Sequence, residues 1–170
     1  MKFIEARGRD HEPFLLYVPF LNPHAPIQDP PAHMADYAKV TDPQARTHMA
    51  MVSAMDDSVG QILAALEKAG MSGNTIVVFA SDNGGDRKLG GDNGAFRAGK
   101  GTAWEGGIRV PAIIRWPDGG LSGGRSVTGR VAFVDLMPTI LNAVGAPASP
   151  NACDGVDVMP LLKGGAEPRP

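Results

Sequence analysis

Three short stretches carry residue types that can act on a common ligand. Ser81-Asp82-Asn83-Gly84-Gly85 ends the β-branched apolar run Thr75 to Ala80, and so sets a carboxylate beside an amide at the end of an expected strand. Paired hard oxygens of this kind suit calcium, which takes about six to eight oxygen ligands, so these two would be part of a shell. The same residues also suit an Asx turn that caps a strand. Gly99-Lys100-Gly101 places an ammonium between glycines. A tetrahedral oxyanion can approach such a point charge closely, although a solvated loop lysine has the same local sequence. His24 stands in Pro23-His24-Ala25-Pro26. An imidazole there can donate to a substrate oxygen or act as a general acid, or it can simply bond to backbone in a turn.

The elements expected to position these groups follow from periodicity and punctuation. Phe14 to Phe20 is a continuous apolar run, expected as a strand that delivers His24, and residues 27 to 41 read as an irregular excursion. Asp42-Pro43 is a helix start. Met49, Val52, Met55, Val59, Ile62, Leu63 and Leu66 then recur at helical spacing as one apolar face, and Gly70 stops the helix. Strand Thr75 to Ala80 delivers Asp82 and Asn83 at its carboxyl end, the edge where open α/β sheets bind ligands. Ile108 to Trp116 is the next expected strand, and Val127 to Phe133 is a short one. Asp135 is an expected N-cap for a helix through Val144. Residues 1–11 read as the remnant of a helix and 146–170 as a loop-rich tail, within a single domain over 1–170.

Composition narrows the function classes. With 16 Lys plus Arg against 18 Asp plus Glu, the formal charge of −2 gives no broad positive field for nucleic acid. Cys153 is the only cysteine, so neither an intrachain disulfide nor a thiolate metal cluster is expected. No apolar stretch is long enough to span a membrane, and the first residues have no apolar signal-peptide core. Asp56-Asp57 falls mid-helix and reads as a solvated face. His11, His33 and His48 show no ligand spacing, and Gly-Lys-Gly-Thr lies too far beyond strand 75–80 for a nucleotide-binding loop.

Taken in order, Pro23-His24-Ala25-Pro26, Ser81-Asp82-Asn83-Gly84-Gly85, Gly99-Lys100-Gly101, Trp104-Glu105-Gly106-Gly107-Ile108-Arg109-Val110-Pro111 and Asp154-Gly155-Val156-Asp157 resemble the middle and later part of an arylsulfatase-type sulfatase. The resemblance runs from about residue 12 to residue 165. It implies an α/β fold: a partial alkaline phosphatase-like sandwich with a mostly parallel central sheet flanked by helices, lacking the amino-terminal strands and the small carboxyl-terminal domain. It also implies that Asp82 and Asn83 are calcium ligands and that His24 and Lys100 are catalytic groups contacting the oxygens of a small-molecule sulfate ester. Asn83 stands where phosphatases of the wider superfamily tend to place a zinc-binding histidine.

Members of the family also carry paired aspartates on an earlier strand and a Cys-x-Pro-Ser-Arg-like stretch whose first residue becomes the formylglycine nucleophile. Neither occurs in these 170 residues, and the sequence around Cys153 is no match. The expectation is a chain that is inactive alone and that self-associates through an exposed sheet edge. The alternatives are a non-catalytic protein that binds calcium, an anion or a partner, and a phosphoester or phosphonate hydrolase of the same superfamily. A plain α/β binding module would require that His24, Asp82 and Lys100 not converge.

Overall fold

The computed structural model describes residues 1–10, 12–146 and 152–168. Helix α1 spans Lys2–Asp10 and α2 spans Pro43–Lys68. Strand β1, Val77–Ala80, is followed by the one-turn helix α3, Glu105–Ile108, and by β2, Ala112–Arg115. Helices α4, Leu136–Ala143, and α5, Met159–Leu162, complete the order. The two strands are neighbours in a two-stranded sheet. The chain divides into two compact units, one of Met1–Ser72 with Val78–Ile113 and one of Gly73–Val77 with Ile114–Pro170.

In the first unit α2 forms where its punctuation places it. The Asp42 carboxylate accepts from Gln44 N at 3.0 Å, Pro43 occupies the first turn, and Gly70 takes a φ of 70° just beyond the end. The buried face differs from the expected stripe. Thr47, Ala50, Met51, Ala65 and Leu66 are covered, whereas Met49 (43%), Val52 (38%) and Leu63 (37%) remain exposed. The bonds of Thr47 Oγ1 to the Asp29 carboxylate and of Asn22 Nδ2 to Met51 O draw residues 22–29 onto this side of α2. At the end of α2, Gly8 of α1 has room for no side chain, since a methyl there would lie 2.9 Å from Ala69 Cβ. Ile4 of α1 is buried, and removing such a side chain from water contributes about 1.5–3 kcal/mol.

The run Phe14 to Phe20 is not a strand, and Leu15 (85%) and Tyr17 (83%) are exposed. Among the described residues it has no neighbouring strand with which to build a ladder, so β propensity alone does not produce one.

In the second unit the expected strand Val127 to Phe133 is also absent. Its end turns into a single 3-10 turn, Phe133–Asp135, because the Asp135 carboxylate accepts from Ala132 N at 2.8 Å and folds the backbone back. Helix α4 does begin after Asp135, but that carboxylate makes no cap bond to α4. It accepts instead from Val156 N at 3.0 Å.

Candidate active site

Beyond β1 the chain enters a turn held by backbone. Ser81 N donates to Pro111 O at 3.2 Å, and Ser81 Oγ donates to Asn83 O at 2.9 Å. Gly84 N donates to Gly107 O at 2.9 Å, and Lys100 N donates to Gly85 O at 3.2 Å. The Asp82-Asn83 turn and the Lys100 loop are therefore joined through the glycines that separate them in sequence. These approaches require the absence of side chains: a β-carbon on Gly84 would overlap the carbonyl of Gly106, and one on Gly99 would lie 2.6 Å from Gly85 O.

Asn93 completes the assembly from the side. Its Oδ1 accepts from Gly85 N at 2.8 Å, while Nδ2 donates to Gly85 O at 3.0 Å and to Ala98 O at 3.1 Å. One amide thus does the work of a short strand pair. Ala98, two residues before Lys100, has a φ of 62°. A left-handed alanine costs about 1–2 kcal/mol, which the surrounding bonds must offset. Asn93 was not singled out in the sequence. Its only local signal is its place in Asp92-Asn93-Gly94, a turn composition shared with many loops.

Asp82 and Lys100 are exposed and Asn83 is half-buried. Around them Arg97 stacks on Trp104 at 3.6 Å from the ring centre, and Arg109 lies over Phe96 at 4.7 Å while pairing with Glu105 at 3.1 Å. Asn83, Asp92, Asn93, Phe96 and Arg109 line an open cleft of about 490 Å³, whose lining does not include Asp82, Lys100 or His24.

His24 belongs to a different stretch, which Asn22 Nδ2 ties to Met51 O of α2 at 3.1 Å. Its exposed ring has Nδ1 2.7 Å from Ala25 O. A carbonyl only accepts, so Nδ1 carries the hydrogen and Nε2 of the neutral ring has a free lone pair. Among the described residues no hydrogen bond or ion pair joins the side chains of His24 and Lys100 to Asp82 or Asn83. Nor does any cluster of three or more His, Cys, Asp or Glu side chains form a metal shell there. Asp82 and Asn83 match calcium in donor type and fall short of it in number.

Asp56 and Asp57 lie on an exposed helix face, as expected, with Asp57 accepting from His33 Nε2 at 2.8 Å. That hydrogen bond, together with Asp36, raises the His33 pKa, whereas burial lowers that of His48. Cys153 is a free, half-buried thiol. His11 lies outside the described residues.

The family profile described as Sulfatase matches residues 1–146. The chain belongs to the sulfatase family. It is 41% identical to mouse (Mus musculus) steryl-sulfatase over 164 residues, which covers 91% of this chain and 25% of that protein. It is 38% identical to human (Homo sapiens) arylsulfatase H, covering 98% of this chain and 30% of that protein. The chain therefore spans a quarter to a third of the length of these relatives. Among solved structures, Ps i-CgsB in complex with k-i-k-neocarrahexaose superposes with a TM-score of 0.93 at 34% identity, over 98% of this chain and 37% of that one. The α/β architecture is accordingly part of the alkaline phosphatase-like fold of sulfatases, represented here by a small sheet and its helices.

Proposed function

We propose that this chain carries the substrate-gripping part of a site that hydrolyses an organic sulfate ester. Family membership supports the reaction class, and the bond from Lys100 N to Gly85 O, which ties the Lys100 loop to the end of the Asp82-Asn83 turn, is the observation that carries the assignment. Lys100 places a mobile positive charge where the sulfate oxygens would lie, offsetting the charge that grows on them as the ester bond breaks. His24 presents Nε2; when protonated, that nitrogen can donate to the ester oxygen and help it leave. Asp82 and Asn83 would hold calcium, which when bound would draw charge from a sulfate oxygen.

The attacking group is a separate matter. No Cys-x-Pro-Ser-Arg-like stretch occurs in these residues, so the chain alone is proposed to bind without turnover. Sulfated carbohydrates and steroids are both within reach of the reading, given the relatives' names.

Calorimetric titration with calcium and with phenyl sulfate tests the proposal. Binding that is weakened by Asp82→Ala for the metal and by Lys100→Ala for the ester is the expected result. Zinc binding in preference to calcium would point to the phosphoester reading, and rapid cleavage of 4-nitrophenyl sulfate by the chain alone would overturn the incomplete-site reading.

A further inference from the structure

His24 lies in a stretch with almost no secondary structure of its own, yet that stretch is fastened along α2. Asn22 Nδ2 donates to Met51 O at 3.1 Å, and Thr47 Oγ1 donates to the Asp29 carboxylate. Farther on, His33 Nε2 meets the Asp57 carboxylate at 2.8 Å, and Tyr37 OH and Ser53 Oγ are 2.7 Å apart. On α2 the partners form two rows one turn long, Thr47 with Met51 and Ser53 with Asp57. Residues 22 and 29 reach the first row; residues 33 and 37 reach the second.

The first pair of tethers brackets the imidazole. Asn22 and Asp29 stand on either side of Pro23-His24-Ala25-Pro26, and both are bonded to neighbouring turns of one helix. Thr47 is the only polar residue on the buried face of α2, which otherwise consists of Ala50, Met51, Ala65 and Leu66. A buried hydroxyl must find a partner, so Thr47 dictates where Asp29 sits. His24 N donates to Leu21 O, just ahead of the Asn22 tether, at 2.7 Å, and Nδ1–H donates to Ala25 O inside the bracket, so the ring is referred to a backbone whose two ends are fixed.

We propose that Asn22, and Asp29 with Thr47, are positioning residues for His24: two tethers to successive turns of α2 hold both ends of the turn that presents its free Nε2. The proposal rests on the reading of His24 as a substrate-gripping group. It extends the site to a helix that contributes no group to the sulfate ester, and it gives the irregular excursion after His24 a definite role.

The test uses the whole chain and nitrogen-15 spectra of its imidazoles. At a pH where His24 is neutral, the wild type should show the signature of a ring protonated at Nδ1. In Asn22→Ala and Thr47→Val that signature should drift toward an average of the two tautomers. Exchange of the His24 amide, which donates to Leu21 O, should quicken by about tenfold while the middle of α2 stays protected. Thr47→Ser keeps the hydroxyl and should restore the wild-type spectrum, which loss of helix packing alone would not predict. An unchanged His24 ring signature with unchanged exchange of the His24 amide in both disabling variants would overturn the proposal, as would Thr47→Ser behaving like Thr47→Val. Should Thr47→Val fail to fold, the half-buried Asn22→Ala decides alone. Phenyl sulfate separates the two readings: a normal tether response with no shift of His24 on adding the ester sinks the functional reading only.

Discussion

The loops beyond β1 and the clasp at the start of α4 solve one problem by opposite means. Both must hold irregular backbone in place without a wide sheet. The first does so by omission: Gly84, Gly99, Gly106 and Gly107 let carbonyls approach where a β-carbon would collide, and a single amide, Asn93, bridges the remainder. The second does so by burying an acidic side chain. Asp135 is fully buried and accepts from Ala132 N and Val156 N, and Thr139 Oγ1 accepts from Val158 N at 2.9 Å. The difference has a functional meaning. A region built by omission leaves its side chains unspent, so Asp82 and Lys100 stay exposed and available. In the clasp the acidic side chains are consumed: Asp157 accepts from Met159 N at 2.8 Å and from Asn142 Nδ2 at 3.1 Å.

The largest effect should come from removing the buried acid. Asp135→Ala leaves two backbone N–H groups without acceptors, at about 1–3 kcal/mol each. We expect a loss of about 3–5 kcal/mol, read as a fall in the urea midpoint and as rapid exchange of the Val156 amide. A loss below about 1 kcal/mol would mean that the clasp is not what holds this region. Adding one methyl should break the other region. Gly84→Ala drives a β-carbon into the Gly106 carbonyl, and overpacking of this kind costs about 1–3 kcal/mol. Exchange at the residue 84 and Lys100 amides, which donate to Gly107 O and Gly85 O, should quicken, and calcium or ester binding should weaken with it. Were Gly84→Ala neutral, close backbone approach could not be the organising device.

How far each region was legible follows from how local its causes are. Helix α2 could be read because Asp42-Pro43 and Gly70 act within a few residues of themselves, and β1 because a β-branched run ends at a polar turn. The face that α2 buries could not be read, since it depends on Thr47 finding Asp29 eighteen residues away in the chain. Phe14 to Phe20 misled for the same reason: its composition states a preference, while a ladder needs a neighbour. Asp135 was placed correctly at a helix start, but its carboxylate turned to Val156, a partner that no local pattern announces. Of the candidate site, the residue types of His24, Asp82, Asn83 and Lys100 were plain in the sequence. The amide of Asn93 that ties two of their loops was not, because its role exists only once the glycines have closed.

A smaller effect would sharpen the contrast from the favourable side. Ala98 occupies a left-handed conformation that the glycine-built region imposes on it. Ala98→Gly removes that strain and gives back some freedom to the unfolded chain. The net gain should be about 0.5–1 kcal/mol, measured as a rise in denaturation midpoint. A loss of stability would show that the Ala98 methyl makes contacts worth more than the strain.

The smallest effects should distinguish one segment of each unit by pH. His33 has its pKa raised above 6.5, first by the hydrogen bond to Asp57, with Asp36 adding to it. Its contribution is therefore complete below 6.5 and is lost as pH rises through the folded value. Burial lowers His48 from the same reference, against Asp86, so its contribution is present above 6.5 and fades as pH falls. In the second unit Glu167 is lowered from 4.5, first by the Arg130 backbone N–H and then by its side chain, so its contribution is present above 4.5 and is lost on further acidification. Exchange measured across a pH series should thus show residues 29–37 loosening on the alkaline side and residues 130 and 167 loosening in acid. His33→Gln should abolish the first change and leave the second. If both segments loosened together at one pH, a shared titration would govern them.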